Sequence, residues 1–149
     1  MITTSCDARR KLLSPVLGEV SFRENEIILF PEGLIGFEEH TGFLMVDVRG
    51  FEPIQWIMSV DDPAISLPVI NPFLIHQQYD PQPARDEILC IGLESIRQAR
   101  LYTVVTVSDE SSQVSINLRG PILINDVRKL GKQVVLIHSD YSLKYPINL

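Results

Sequence analysis

The sequence contains no apolar run of the length, about 18 residues, that a membrane-crossing helix needs. Its first residues also lack the apolar core of a signal peptide. Only two cysteines are present, Cys6 and Cys90, and their different surroundings argue against a framework disulfide. From these features we expect a cytoplasmic protein that makes no contact with the membrane.

Basic residues are scarce in the central part of the chain. Residues 15–118 carry 5 basic and 16 acidic side chains. Such a body repels phosphate backbones, and it lacks the stripe of basic and aromatic side chains that nucleic-acid binding requires, so we expect no direct nucleic-acid binding. An acidic body would speed the encounter with a basic protein partner. An acidic surface that only keeps the protein soluble would have the same composition.

Spacings typical of metal sites are also lacking. The three histidines, His40, His76 and His138, have no second ligand at metal-site spacing, apart from the weak pair of His138 and Asp140. We therefore expect no bound metal and no cofactor.

Nucleophile and phosphate motifs are missing as well. The chain has no G-x-S-x-G elbow, and Gly33 and Gly36 are not followed by the Lys and Ser/Thr of a phosphate loop. Cys90 lies in an apolar run, which favours a small buried thiol over a nucleophile. Asp61 and Asp62 precede a proline, which is typical of a polar turn. The sequence gives no indication of an enzyme.

Strand patterns dominate the chain that follows the first residues. Short apolar, β-branched segments are separated by Gly, Pro and Asn, with a spacing typical of a sandwich or a barrel. Pro68 cannot donate to a ladder, so its strand should lie at an edge or contain a bulge. The sequence predicts about nine strands, at residues 16–22, 26–30, 43–48, 54–60, 65–70, 101–107, 114–118, 122–124 and 133–137.

Helical patterns occur only near the middle, over residues 86–98. Asp86 and Glu87 suit a helix N-terminus, and Gly92 suits its end. Ser95 and Gln98 have the spacing of a capping box. We therefore predict one mostly-β domain at residues 15–149 with a short helical insertion, preceded by a flexible arm at residues 1–14.

Three blocks of this sequence resemble one known family. Residues 30–38, Phe-Pro-Glu-Gly-Leu-Ile-Gly-Phe-Glu, are similar to the F-P-x-G-[IL]-x-G-F-E signature of the flagellar assembly factor FliW. Residues 59–63 followed by 69–73 resemble the second block of that family. Residues 117–125 followed by 131–136 resemble the third. The order and spacing match over nearly the whole chain.

The resemblance implies a small antiparallel β-barrel without catalysis. It also implies two partners, flagellin and the RNA-binding translational regulator CsrA. In such a protein, plentiful flagellin occupies the factor, and the factor freed by flagellin export binds CsrA. Binding away from the RNA surface of CsrA, by allosteric or electrostatic means, then relieves the repression of flagellin translation. The acidic body fits a partner that grips RNA and is therefore basic.

Candidate partner-binding residues follow from the matching blocks. Aromatic side chains would be anchors, and acidic ones a charged rim that sets the association rate. The candidates are Glu32, Phe37, Glu38, Glu39, Asp61, Asp62, Asn71 and Phe73.

Two alternatives stay open from the sequence. The aromatic rings of Phe30, Phe37 and Phe73 could instead close the ends of the barrel without touching a partner. The chain could also be a small β-barrel that binds a small molecule or a metal.

Overall fold

The computed structural model describes residues 8–148 of the chain. Its secondary structure is mostly β, with one short helix, α1 (Arg85–Leu89), and three 3-10 turns at Glu24–Glu26, Pro72–Leu74 and Ile96–Gln98. The strands are β1 (Arg9–Ser14), β2 (Gly18–Arg23), β3 (Ile28–Leu29), β4 (Gly42–Asp47), β5 (Gln55–Ser59), β6 (Ser66–Ile70), β7 (Arg100–Val107), β8 (Val114–Ile116), β9 (Ile122–Asn125), β10 (Leu130–Gln133) and β11 (Tyr145–Ile147).

Seven of these strands close into a barrel, in the order β7-β6-β5-β4-β3-β10-β9 and back to β7. Closure depends on the length of β7, because its first half pairs with β9, whereas its second half pairs with β8. The neighbours are antiparallel except β3 and β10, which run parallel through the pair of Leu29 and Leu130. A closed barrel leaves no open sheet edge. The predicted β-barrel is therefore confirmed, with one parallel contact that the sequence did not predict.

Apolar side chains fill the barrel interior. Alternate residues of each strand point inward, and the rings of Phe30 and Phe43 meet edge to face with centroids 5.3 Å apart. Packing of this kind makes the interior a core and not a channel. The buried members of this core are Ile28, Phe30, Leu34, Phe43, Ile57, Val69, Tyr102, Ile122 and Ile124.

Two layers cover the outside of the barrel wall. The hairpin of β1 and β2 packs Val20 and Phe22 against Leu44 and Met58. Around α1, a second cluster packs against the outward side chains of β7 and β9, with Ile88, Ile91, Leu93, Leu101 and Leu123 among its buried members. A strand that is covered by one of these layers packs outward against the layer and inward against the core. Such strands are therefore apolar on both faces, which explains their near-continuous hydrophobic sequences.

Part of the predicted N-terminal arm is a strand. Arg9–Ser14 forms β1 and pairs with β2 from Arg9 opposite Arg23 to Ser14 opposite Gly18. Leu12 is the apolar residue of this strand that packs against the barrel, whereas Leu13 is 77% exposed, so the strand shows almost no apolar alternation. Residues 1–7 of the predicted arm lie outside the described residues.

The predicted strand at residues 133–137 begins earlier and ends at Gln133. Beyond it, the backbone N–H groups of Val134 and Leu136 still donate to the carbonyls of Pro121 and Arg119, at 3.0 and 2.8 Å. Pro121 has no N–H to return a bond, and the N–H of Arg119 goes to the Asn117 side chain. The ladder is therefore one-sided there.

Cys90 is exposed, so the prediction of a buried thiol is wrong. The apolar run 88–91 has two faces, because Ile88 and Ile91 are buried while Leu89 is 45% exposed. Residues three apart share one face of a helical turn, and Cys90 falls on the other. The capping box of Ser95 and Gln98 is confirmed.

Pro68 lies in a strand with neighbours on both sides, not at an edge. It pairs with Trp56 of β5, whereas β6 pairs with β7 only through Val69 and Ile70. The missing N–H of Pro68 therefore falls where no second ladder has formed.

Candidate functional site

The candidate residues lie in three loops, and two of these loops meet at one end of the barrel. The first loop, residues 30–41, joins β3 to β4, and the second loop, residues 60–65, joins β5 to β6. Because β4 and β5 are antiparallel, with Phe43 opposite Ser59, the start of β4 lies beside the end of β5. We call this end of the barrel, with the first and second loops, the acidic end.

Glycine sets the shape of the first loop. Gly33 has φ +67°, and a Cβ there would lie 2.6 Å from the Cα of Glu38. The chain therefore turns back on itself, and the N–H of Phe37 donates to the carbonyl of Leu34 at 2.7 Å. This turn places Leu34 in the barrel core, 1% exposed, while Ile35 is 52% exposed. One loop thus both closes the core and presents an apolar tip to solvent.

The acidic side chains of the first loop have different surroundings. Glu32 Oε2 lies 2.7 Å from Lys132 Nζ, so this carboxylate already takes part in an ion pair. Glu38 accepts a hydrogen bond from the N–H of Gly36 at 3.0 Å, and the N–H groups of Gly36 and of Glu38 itself hold the pKa of that carboxyl below its usual value. Glu39 is exposed. Glu38 and Glu39 are therefore the exposed acidic side chains of this loop that Lys132 does not pair with.

A buried serine ties the second loop to the barrel. Ser59 Oγ accepts hydrogen bonds from the N–H groups of Asp61 at 3.2 Å and Asp62 at 3.1 Å. Asp62 Oδ1 in turn accepts from the N–H of Ala64 at 3.1 Å, the Asx turn that an Asp before Pro favours. The carboxylates of Asp61 and Asp62 are exposed, so the acidic end carries them beside those of the first loop.

Asn71 and Phe73 lie at the opposite end of the barrel. Strand β6 runs away from the second loop, and its Val69 pairs with Gln55 at the start of β5. Asn71 Oδ1 accepts from the N–H of Phe73 at 2.9 Å and caps a 3-10 turn. The Phe73 ring is 38% exposed and lies 5.9 Å from the ring of Tyr79. Six of the eight candidates therefore share one end, and these two do not.

The rings of the three phenylalanines considered above differ in how deeply they are buried. Phe30 is fully buried, as the alternative of a barrel-closing ring requires. Phe37 is half-buried and Phe73 is exposed. Of these three rings, Phe37 and Phe73 are therefore the two that solvent reaches.

Sequence reasoning did not nominate Ser59, Lys132 or Gln133. Gln133 Oε1 accepts from the N–H of Ile35 at 2.9 Å, and Lys132 pairs with Glu32. All three lie within the sequence blocks that carry the resemblance, so the blocks themselves were the available signal. The contacts of Lys132 and Gln133 span about a hundred residues of chain, so only the fold shows them.

Within residues 8–148, no group of three or more His, Cys, Asp or Glu side chains is arranged to hold a metal ion. No helix in this part of the chain is both long and apolar enough to span a membrane. The closed strand order and the filled interior define the class: a small closed β-barrel whose candidate residues lie in its end loops.

Comparison with known proteins identifies the family within that class. The family model described as FliW protein matches residues 11–147. A flagellar assembly factor FliW of Natranaerobius thermophilus is 35% identical over 92% of this chain and 91% of its own length. That of Clostridium beijerinckii is 31% identical over 92% of this chain and 97% of its own. The chain therefore belongs to the FliW family.

A solved structure agrees with this assignment. The crystal structure of the flagellar assembly factor FliW matches with a TM-score of 0.83 and 27% identity, over 94% of this chain and 100% of that chain. The family resemblance of the three sequence blocks is thereby confirmed.

Proposed function

We propose that this protein is a non-enzymatic regulator in the cytoplasm that binds flagellin and antagonises CsrA, so that flagellin synthesis follows flagellin export. The observation that carries the proposal is the match to the FliW family over residues 11–147, whose curated members are named flagellar assembly factors. Flagellin and CsrA would be alternative partners, and the protein would not touch RNA itself.

The acidic end supports this proposal on physical grounds. Glu38, Glu39, Asp61 and Asp62 are exposed there, and a protein that grips RNA has a basic surface. Complementary charge speeds encounter and fixes orientation more than it adds affinity. The exposed side chain of Ile35 and the half-buried ring of Phe37 would supply the apolar contact that charges alone do not provide.

A binding experiment with purified components tests the proposal. The protein is titrated into flagellin and, separately, into CsrA, and complexes are measured by calorimetry and size-exclusion chromatography. We expect a complex with each partner at micromolar concentration or below, and release of CsrA when flagellin is added. The absence of both complexes would overturn the proposal.

An RNA arm tests the mechanism in the same preparation. CsrA is bound to a labelled flagellin leader RNA, and the protein is added. We expect the RNA to be released while the protein alone gives no shift of the RNA. A direct shift by the protein would contradict the expectation that it does not bind nucleic acid.

A further inference from the structure

Three consecutive residues of β10, Gly131, Lys132 and Gln133, all contact the first loop. They belong to the third block of the family resemblance, for which neither the sequence nor the proposed function supplies a role. Strand β10 lies directly beside β3, with Leu130 opposite Leu29, so its side chains face the loop that follows β3.

Gly131 makes room for the start of the loop. It is buried, and a Cβ at this position would lie 2.4 Å from the Cζ of Phe30. No real Cβ tolerates that distance, so the tip of the Phe30 ring can approach the strand this closely only because residue 131 is glycine. Phe30 in turn is fully buried in the core. The first residue of the loop is therefore held in one position by the barrel core.

Gln133 holds the tip of the loop. Its side-chain Oε1 accepts from the N–H of Ile35 at 2.9 Å, and its Nε2 donates to the carbonyl of Gly120 at 3.0 Å. The amide is thus fixed from both sides. Ile35 is the exposed apolar residue of the loop, so Gln133 sets the position from which that side chain is presented.

Lys132 joins the loop to helix α1. Its side chain is only 17% exposed, and its Nζ lies 2.7 Å from Glu32 Oε2 and 2.8 Å from Glu87 Oε2. Burial works to lower the pKa of this ammonium group, but its contacts with the two carboxylates outweigh burial and raise the pKa above its ordinary value. Lys132 therefore stays charged and bridges two separate segments.

The two arms of this bridge are unequal. Glu32 is 70% exposed and receives a hydrogen bond from Lys132. Glu87 Oε2 is buried and has no well-aligned hydrogen-bond donor among residues 8–148, so the nearby charge of Lys132 is its main compensation. The Glu87 side chain as a whole is 34% exposed, but a carboxylate oxygen that is withdrawn from water without a compensating partner is still costly. Loss of Lys132 should therefore disturb α1 as well as the loop.

We infer that Gly131, Lys132 and Gln133 are positioning residues that hold the first loop in its partner-binding shape, and that Lys132 couples this loop to helix α1 through Glu87. This inference rests on the proposed function for its partner-binding part only. It makes Ile35, together with Phe37, a contact residue of the acidic end. It also assigns Glu32 to the ion-pair bridge with Lys132, so that the charged rim consists of the other acidic side chains of the acidic end.

Hydrogen exchange of the free protein tests the positioning role without any partner. In Lys132→Met, we expect the amides of residues 32–39 and of α1 to exchange about tenfold faster, as the loss of a charge-assisted hydrogen bond implies. In Glu32→Gln, which changes an exposed side chain and should fold normally, the loop alone should respond. Lys132→Arg keeps the charge and should retain most of the protection. Lys144→Met makes the same charge change at an exposed site and serves as the control.

Partner binding by the same variants completes the test. We expect Lys132→Met and Gln133→Met to bind the partner about tenfold more weakly than the wild type, with Lys132→Arg close to wild type and Lys144→Met unchanged. Unchanged exchange of residues 32–39 in both Lys132→Met and Glu32→Gln would overturn the inference. So would faster exchange with wild-type partner affinity. If the wild type binds neither flagellin nor CsrA, the proposed function fails, and the exchange data still decide whether the bridge holds the loop.

Discussion

Ser59 Oγ lies 3.2 Å from His40 Nδ1, and this contact joins the end of strand β5 to the end of the first loop. The same oxygen accepts from the N–H groups of Asp61 and Asp62. A single buried hydroxyl therefore connects the two loops of the acidic end. The relative position of the acidic side chains depends on a residue that carries no charge itself.

Replacement of Ser59 by alanine should loosen the acidic end. The N–H groups of Asp61 and Asp62 lose their acceptor, so we expect the free energy of unfolding to fall by about 1–3 kcal/mol. Urea denaturation measures this loss. Ser115→Ala, at another buried serine but in β8, is the matched control and should cost less. Equal losses in the two variants would contradict the linking role of Ser59.

Neutralising the second loop should slow association with a basic partner. Asp61→Asn with Asp62→Asn keeps the side-chain oxygen that caps Ala64 and removes two exposed charges. We expect the association rate with CsrA at low salt to fall about three- to tenfold, and its salt dependence to become shallower. Stopped-flow measurements over a salt series provide both values.

A second double variant, which removes two negative charges elsewhere on the surface, controls for the effect of net charge alone. Asp109→Asn with Glu110→Gln removes two exposed carboxylates from the turn between β7 and β8. This variant should associate at nearly the wild-type rate. If both double variants slow association equally, the acidic end has no special part in steering.

The contribution of Tyr79 to the free energy of unfolding should decrease at alkaline pH. Its ring is 4% exposed, and its hydroxyl donates to the carbonyl of Leu118 at 2.6 Å. Burial and the nearby Tyr141 raise its pKa above the ordinary value of 10.0. The unfolded chain therefore loses this proton first as the pH rises, so the stability that Tyr79 contributes is present below pH 10.0 and declines above it.

The variant Tyr79→Phe isolates this contribution. At neutral pH it should be less stable than the wild type by about 1–2 kcal/mol, because the carbonyl of Leu118 loses its buried donor. The difference between the two proteins should shrink as the pH rises above 10.0. Unfolding curves at a series of pH values measure it, and a difference that stays constant into the alkaline range would contradict the assignment.

Much of the fold was predictable because its signals are local. Strand β4 has a continuous apolar sequence because one of its faces packs in the barrel core and the other packs against the hairpin of β1 and β2. Ser95 and Gln98 form the capping box that their spacing predicts. Strands β1 and β11 were missed because charged or polar residues and a proline occupy them, and only their partners make them strands.

The candidate site was predictable only in part, for a related reason. The sequence blocks identified the acidic side chains of both loops, but which loops share an end follows from strand direction. Asn71 and Phe73 were therefore grouped with residues that lie across the barrel. Lys132 and Glu32 are about a hundred residues apart in the chain, and no local pattern connects them. Long-range pairs of this kind are set by topology.

The two glycines of the first loop should differ in their tolerance of alanine. Both have positive φ, +67° at Gly33 and +91° at Gly36, but only at Gly33 would a Cβ meet other atoms, including the carbonyl oxygen of Phe37 at 2.6 Å. Gly36→Ala should therefore cost about 1–2 kcal/mol of backbone strain. Gly33→Ala should cost more than that, because the turn back to Glu38 must also open.

Thermal and urea unfolding of the two variants measure the difference in stability. Partner binding distinguishes the local from the global effect. We expect Gly36→Ala to keep most of its affinity for the partner, and Gly33→Ala to lose affinity even under conditions in which it is fully folded, because Ile35 and Phe37 change position with the turn. Equal stability and equal affinity in the two variants would show that the close approach at Gly33 does not shape the loop.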